Sequence, residues 1–367
     1  MQPIRILHVV TYMGRGGLET MIMNYYRHID RNKVQFDFLV HRDFEADYDA
    51  EIISMGGQIF RVPRLVPWSS TYHKALNAFF AEHPEYKIVH VHQDCLSSII
   101  LKEAKKQGVP VRIAHSHSSS QDKNIKYLVK LFYRRKIAKN ATHLFACGQD
   151  AGKWMFRGAS YTIVHNAIDA GLYSYSSVRR DRMRRELDID ANAFVVGHVG
   201  RFNTVKNHSF LLDVFAKVRE RRSHSYLLLV GDGDLRKETE AKVANMGLSK
   251  SIIFTGVRSD VPDLMQAMDC FVFPSLYEGL PLTLIEAQAA GLPCVVSDGV
   301  PVECAKTDLV EHVSLHDGVE TWADRILAKV GFLRAATKEE IALAGYDIEA
   351  NALWLENYYL EQWKKEA

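Results

Sequence analysis

The sequence predicts an α/β chain of two doubly wound, Rossmann-like domains, and three observations carry that prediction. Short apolar runs alternate with amphipathic stretches throughout. Each half opens on an apolar strand that runs into glycine and then a helix. One stretch, 170–190, is rich in Ser, Arg and Asp and poor in apolar runs. The domains are therefore placed at 1–169 and 191–347, with 170–190 as the linker.

In the first half, Ile4–Val10, Phe36–Val40, Ile88–His92, Val111–His115, His143–Cys147 and Thr162–His165 read as strands. Helical patterns over Leu18–His28, Tyr72–Glu82 and Ser97–Gln107 lie between them, as crossovers in a parallel sheet require. The second half repeats the design. Its strands are Phe194–Gly200, Tyr226–Gly231, Ile252–Thr255, Cys270–Pro274 and Cys294–Ser297; its helices are Asn207–Arg221, Leu235–Asn245, Val261–Ala267 and Pro281–Ala290.

Composition removes several function classes. With 46 Lys+Arg against 44 Asp+Glu the net charge is +2, so no basic field recommends a nucleic acid as partner. The five cysteines are scattered and odd in number, with no Cys-x-x-Cys pair, which points to a reducing compartment, the cytoplasm. No apolar stretch approaches the roughly 18 residues of a spanning helix. Residues 1–10 read as a strand feeding a glycine loop, so no signal peptide is expected.

The most informative local feature is Tyr277–Glu286, which sets Glu278 and Glu286 around a turn that opens into a helix. Gly279 and Pro281 mark the turn, and proline's fixed φ and missing N–H suit the first helical position. The amides of Leu282 and Thr283 are then free to meet a phosphate or sugar oxygen, while the two carboxylates accept from sugar hydroxyls. A glycosidase pair would stand roughly 5–9.5 Å apart, whereas eight helical residues rise about 12 Å. The two glutamates are expected to grip two ends of one extended ligand, as a nucleotide sugar is.

Two further patterns favour phosphate. Gly14, Gly16 and Gly17 allow close backbone approach after the first strand, but their spacing is not Gly-x-Gly-x-x-Gly, and Asp37 lies inside the second strand, so an NAD site is disfavoured. In the second half Arg201 ends a strand and Lys206 begins the next helix, which puts a planar fork and a point charge at the carboxyl edge of the sheet. That pairing suits a diphosphate.

Together, Gly16-Gly17-x-Glu19, the Gly200-Arg201 to Lys206 pair, Phe254-x-Gly256 and Pro274-Ser275-x-x-Glu278-Gly279-Leu280-x-Leu282-x-x-x-Glu286-Ala287-x-Ala289-x-Gly291-x-Pro293 resemble the retaining glycosyltransferases of family four. The likeness spans nearly the whole chain. The wording around Ile113-Ala114-His115-Ser116-His117 and over Ser297–Leu315 is similar to bacterial exopolysaccharide and capsule glycosyltransferases of the EpsF type. The resemblance implies a GT-B fold, in which two Rossmann-like domains face a cleft, and a metal-independent transfer with a nucleotide sugar, UDP favoured, as co-substrate and no other cofactor.

It also implies roles. Arg201 and Lys206 would neutralise the diphosphate, and Glu278 with the Gly279-Leu280 turn and the amides of Leu282 and Thr283 would hold the donor sugar and phosphate. Glu286 would hold the ribose, the base would stack near Val257 and Arg258, and Gly16 and Gly17 would line the diphosphate from the other domain. Either His115 or His117 would contact the donor sugar or polarise the acceptor region; alternation along the strand puts both on one face, and His115 is the first choice. A carboxylate nucleophile would have to be Glu278, whose implied role is hydroxyl binding, so same-face substitution is preferred to double displacement.

Other segments carry less. His90 and His92 form a His-x-His pair that could ligate zinc, but no third ligand stands at suitable spacing and the cysteines are distant, so no metal is expected. The stretch 123–140 is basic, nearly free of acid and rich in Leu, Phe, Tyr and Ile. It reads either as a packing helix or as one that lies on an anionic membrane surface, which would suit a lipid-linked acceptor at the inner face of the plasma membrane. Residues 348–367 carry Leu353, Trp354, Tyr358, Leu360 and Trp363 at helical spacing and, by resemblance, return to pack on the first domain. A nucleotide-sugar 2-epimerase of the same fold and a catalytically silent donor-binding partner are the alternative functions.

Overall fold

The computed structural model describes residues 2–117 and 126–366. They form two compact units, Met1–Ala167 with Ile348–Ala367, and Ile168–Asp347. In the first unit seven strands, β1 (Ile4–Val10), β2 (Val34–Val40), β3 (Ile59–Arg61), β4 (Ile88–Val91), β5 (Val111–Ser116), β6 (His143–Ala146) and β7 (Thr162–Ile163), form one sheet in the order β3-β2-β1-β4-β5-β6-β7. Every pairing is parallel. Both faces are covered, which is why β2 and β4 are buried at every position rather than alternating. One core lies under helix Gly17–His28, which buries Met21, Ile22, Tyr25 and Tyr26, and under helix Ile348–Lys365, which adds Ala352, Leu355 and Tyr359. The other lies under helices Ser70–Glu82 and Ser97–Lys106.

The second unit holds β8 (Phe194–Val199), β9 (Ser225–Val230), β10 (Ile252–Gly256), β11 (Cys270–Phe273), β12 (Cys294–Ser297) and β13 (Val310–Val313), parallel and ordered β10-β9-β8-β11-β12-β13. Strand order therefore reverses between β1 and β4 in one sheet and between β8 and β11 in the other. In open α/β sheets such reversals mark the carboxyl edge as the place where ligands bind.

The expected linker is a correction. Residues 170–190 hold two helices, Ala170–Tyr173 and Ser177–Glu186, and belong to the second unit, with the chain passing between units at Ala167–Ile168 and Asp347–Ile348. A buried arginine explains the low apolar content. Arg184, 1% exposed, donates to the carbonyls of Ala267, Ala191 and Ala193 and pairs with Asp269 at 2.7 Å, so polar bonds do what apolar contacts do elsewhere.

Strands β3 and β13 were not expected. Both are edge strands of three or four residues, half exposed, and too short for a periodic signal. Pro281 sits one residue earlier than expected: it is the extended N-cap (φ −75°, ψ 104°), and Leu282–Ala289 is the helix. Glu278 thus precedes the helix altogether, and helical rise does not measure its separation from Glu286.

Candidate active site

In the second unit the reversal between β8 and β11 builds the most developed polar site. The segment after β8 carries Lys206 and the segment after β11 carries Glu278, and the two meet: Lys206 Nζ donates to Glu278 Oε1 at 2.6 Å, with side chains only 16% and 13% exposed. Lys206 Nζ also stands 4.3 Å from the centre of the Phe273 ring. Its backbone N–H donates to Asn203 Oδ1 at 3.1 Å. The Glu278 loop is fixed by its backbone, since Leu276 N–H donates to the Val205 carbonyl at 2.8 Å and Glu278 N–H to the Gly299 carbonyl at 2.9 Å. Such a desolvated pair is held in place yet has an obvious replacement partner for each member, a phosphate for the lysine and a sugar hydroxyl for the glutamate.

Gly299 has no room for a side chain. A Cβ there would overlap the Leu276 carbonyl oxygen and stand 2.8 Å from that of Ser275. Gly299→Ala is accordingly expected to displace 275–278 and cost about 1–3 kcal/mol of stability, with weaker binding of nucleotide sugar; calorimetric titration beside a thermal melt checks both.

Arg201 does not join the pair. It is 67% exposed and reaches Asp234, itself 83% exposed, at 3.3 Å, a surface contact worth about 0–1 kcal/mol and readily given up to a ligand. Val257 is 61% exposed just after β10, whereas Arg258 is anchored to Asp260 at 2.6 Å and Glu186 at 3.1 Å. No side chain caps the helix that starts at Leu282, and helix geometry leaves the Leu282 and Thr283 amides without intrahelical partners. Gly279 is exposed, and Leu280 packs partly against the core. Glu286, partly buried on the same helix, is pushed up to about 7 by burial, against the opposing hydrogen bond from Tyr173.

Sequence reasoning missed four residues here: Phe273, Gly299, Tyr173 and His198. His198 alternates inward on β8, donates from Nδ1 to the Val272 carbonyl at 2.9 Å and is held neutral by burial. Its Nε2 would stand 3.0 Å from a Cβ at Gly200, so it floors the turn that carries Arg201. The inward position of a histidine between two glycines was the available signal.

In the first unit the adjacent strands β1, β4 and β5 bring five histidines onto one face. His8 Nδ1 and His92 Nε2 are 3.1 Å apart, His92 Nδ1 and His117 Nε2 2.9 Å, and His90 Nε2 and His115 Nδ1 3.0 Å. His90 Nδ1 also meets the Tyr359 hydroxyl at 2.6 Å. Burial lowers all five below the ordinary histidine range, His8 and His117 to about 3. His115, the first choice from sequence, is only 2% exposed and enclosed by His90, His117 and Phe145; His117, one residue past β5, is the more exposed.

The expectation that His90 and His92 lack a third ligand also needs correcting. His8 joins them from β1, and His92 forms a second such group with His115 and His117. Strand pairing, invisible in linear spacing, supplies the third imidazole, since His8 and His90 are register partners. Gly16 caps helix Gly17–His28, and a Cβ on Gly17 would meet nothing within 4 Å, so the backbone there is open to approach.

Two all-parallel sheets, each reversing its strand order beside its first strand, are the GT-B architecture of nucleotide-sugar-dependent glycosyltransferases. HepE of Anabaena, solved with UDP and glucose, superposes with a TM-score of 0.75 over 99% of this chain and 100% of its own, at 18% identity. Residues 15–172 match the profile described as Glycosyltransferase Family 4, and residues 179–315 that of Glycosyl transferases group 1. The chain belongs to the family-4 glycosyltransferases. It is 39% identical over 368 residues to EpsF of Bacillus subtilis (strain 168), covering 97% of this chain and 96% of that one. A more distant relative, the UDP-Gal:alpha-D-GlcNAc-diphosphoundecaprenol alpha-1,3-galactosyltransferase of Escherichia coli, is 29% identical over 58% of each chain.

Proposed function

We propose that this glycosyltransferase is retaining and metal-independent, and that it moves a sugar from a UDP-sugar to a lipid-linked saccharide during exopolysaccharide or capsule assembly. The partly buried Lys206–Glu278 pair at the β8/β11 reversal carries the reading. On binding, the diphosphate takes Lys206 and draws Arg201 from Asp234, while Glu278 turns to hydroxyls of the donor sugar. The Leu282 and Thr283 amides meet sugar or phosphate oxygens, Glu286 the ribose, and Val257 the base.

As the bond from the anomeric carbon to the diphosphate oxygen breaks, negative charge grows on that oxygen and the two cations stabilise it. The acceptor hydroxyl forms the new bond on the same face, and its proton passes to the departing phosphate oxygen. Two cations supply the positive charge that a metal ion supplies in other transferases. The choice of UDP and of a polyprenyl-linked acceptor is supported by the UDP held by HepE and by the acceptor in the name of the Escherichia coli relative.

Incubation with a panel of UDP-sugars and an undecaprenyl-diphosphate-linked saccharide, in the presence of a chelator, tests the reading. Transfer with the donor's anomeric configuration kept, by NMR of the product, supports it; inversion, or dependence on added metal, overturns it.

Glu286 gives the site a pH signature. A carboxyl whose folded pKa lies above its unfolded value favours folding while protonated, and that contribution is lost as pH rises through about 7. Binding runs the other way, because only the carboxylate accepts from both ribose hydroxyls. UDP affinity is expected to fall by up to about tenfold per pH unit below 7, and to lose that dependence in Glu286→Gln; titration from pH 5.5 to about 8.5 checks it.

A membrane role rests on 126–140, since residues 123–125 of the basic stretch lie outside the described residues. Helix Lys126–Arg134 exposes Leu128 (72%) and Phe132 (52%), four positions apart, with Arg135, Lys136 and Lys139 exposed beyond them. Among the described residues no helix is long and apolar enough to cross a membrane. Surface docking on anionic lipid at the inner leaflet is the form of contact this face supports.

A further inference from the structure

We propose that His8, His90 and His92 of the first unit bind one divalent transition-metal ion of the zinc class, at a site distinct from the donor-handling residues of the second unit. The proposal does not depend on the transferase reading.

Strand geometry assembles the site. His8 on β1 and His90 on β4 are register partners, and His92 follows two residues later on the same face, so three imidazoles from two hydrogen-bonded strands converge. Their candidate ligand nitrogens all lie within 4.8 Å of one another. His8 Nδ1 and His92 Nε2 are 3.1 Å apart, and two nitrogens bound tetrahedrally at 2.0–2.1 Å stand about 3.3–3.4 Å apart, so a small outward movement admits an ion.

The outer bonds suit ligation. A metal-bound imidazole uses its second nitrogen to hydrogen-bond a neighbour. His90 keeps Nδ1 for the Tyr359 hydroxyl at 2.6 Å while its Nε2 exchanges His115 Nδ1, now 3.0 Å away, for the ion, and His92 keeps Nδ1 for His117 at 2.9 Å. His8 is the one ligand without such an outer bond: its Nε2 has no hydrogen-bond partner among the described residues, and to present the Nδ1 lone pair it gives up the contact with His92 Nε2 at 3.1 Å and carries its proton on Nε2. The small cavity beside these three histidines is walled mainly by Met21, Ile22, Phe36, Val164 and Leu355, so the ion would be held by the three imidazoles in apolar surroundings.

The donor set chooses the ion. It is all imidazole, with no carboxylate in the group, which favours zinc, copper or nickel over magnesium or calcium. The alternative group, His92 with His115 and His117, is less enclosed because His117 is partly exposed; the first group is buried throughout. Bound there, the ion would tie β1 to β4 and, through Tyr359, to helix Ile348–Lys365.

The test uses the full chain stripped with a chelator and freed of it. Zinc is titrated in competition with a chromophoric chelator, and imidazole nitrogen resonances of the wild type are followed in parallel. One equivalent should bind, with shifts at His8, His90 and His92, and affinity should fall more than about a hundredfold in His8→Gln but not in His28→Gln on the exposed end of helix Gly17–His28. Absence of binding, shifts confined to surface histidines, or loss in His117→Gln with retention in His8→Gln would each overturn the proposal. Circular dichroism establishes whether His8→Gln folds. If it does not, the wild-type resonances alone decide.

Discussion

Lys206→Ala is expected to lower turnover of the nucleotide sugar by roughly 10²–10³-fold, the range for removing one preorganised partner of a developing oxyanion. The lysine is held before substrate arrives by Glu278 at 2.6 Å, by the Phe273 ring, and at its backbone by Asn203, so little reorganisation is needed when charge grows on the leaving phosphate. The variant also leaves Glu278, 13% exposed, without its ion-pair partner, which costs about 1–3 kcal/mol of stability. Lys206→Arg keeps the charge but brings a planar fork where a point charge sits between carboxylate and ring, and should recover only part of the rate. The double variant Lys206→Ala/Glu278→Ala should fall well short of the sum of the single losses, because the two residues act on each other. Steady-state kinetics with thermal melts of the wild type, Lys206→Ala, Lys206→Arg, Glu278→Ala and the double variant checks these outcomes.

Arg184→Met should destabilise the second unit by about 3–5 kcal/mol, the range for breaking a buried ion pair by removing one partner. Its guanidinium satisfies three backbone carbonyls and Asp269, and that aspartate also accepts from Val195 N–H at 2.8 Å, at the start of β8. The substitution keeps most of the volume and removes every one of those bonds. Denaturant unfolding should show the loss in the second unit's transition, with the midpoint falling and the first unit's transition unmoved. A change of less than about 0.5 kcal/mol would mean that Ser177–Glu186 is not an integral part of that unit.

Strands with mostly buried, mostly apolar residues were legible in the sequence: Ile4–Val10, apolar apart from Arg5 and His8, and Cys294–Ser297, buried throughout, have the bounds read from sequence. Edge strands β3 and β13 were not, since three or four half-exposed residues carry no period. Arg184 misled for a physical reason: a residue type that is usually solvated here does the work of a core side chain, so its helix read as linker. At the site, Lys206 and Glu278 were named from local chemistry, but their direct contact depends on β8 and β11 being neighbours, a fact of strand order. The histidine cluster is the same case. Two of its pairs are visible as His-x-His, while His8 enters only through the β1–β4 register.

The most direct test of the account is calorimetric titration of nucleotide sugars, without added metal, into the wild type, Glu278→Ala and Arg201→Ala. The wild type is expected to bind one donor selectively, and both variants to lose it. Binding of no donor, or binding indifferent to both substitutions, would contradict the assignment of the β8/β11 edge as the donor site.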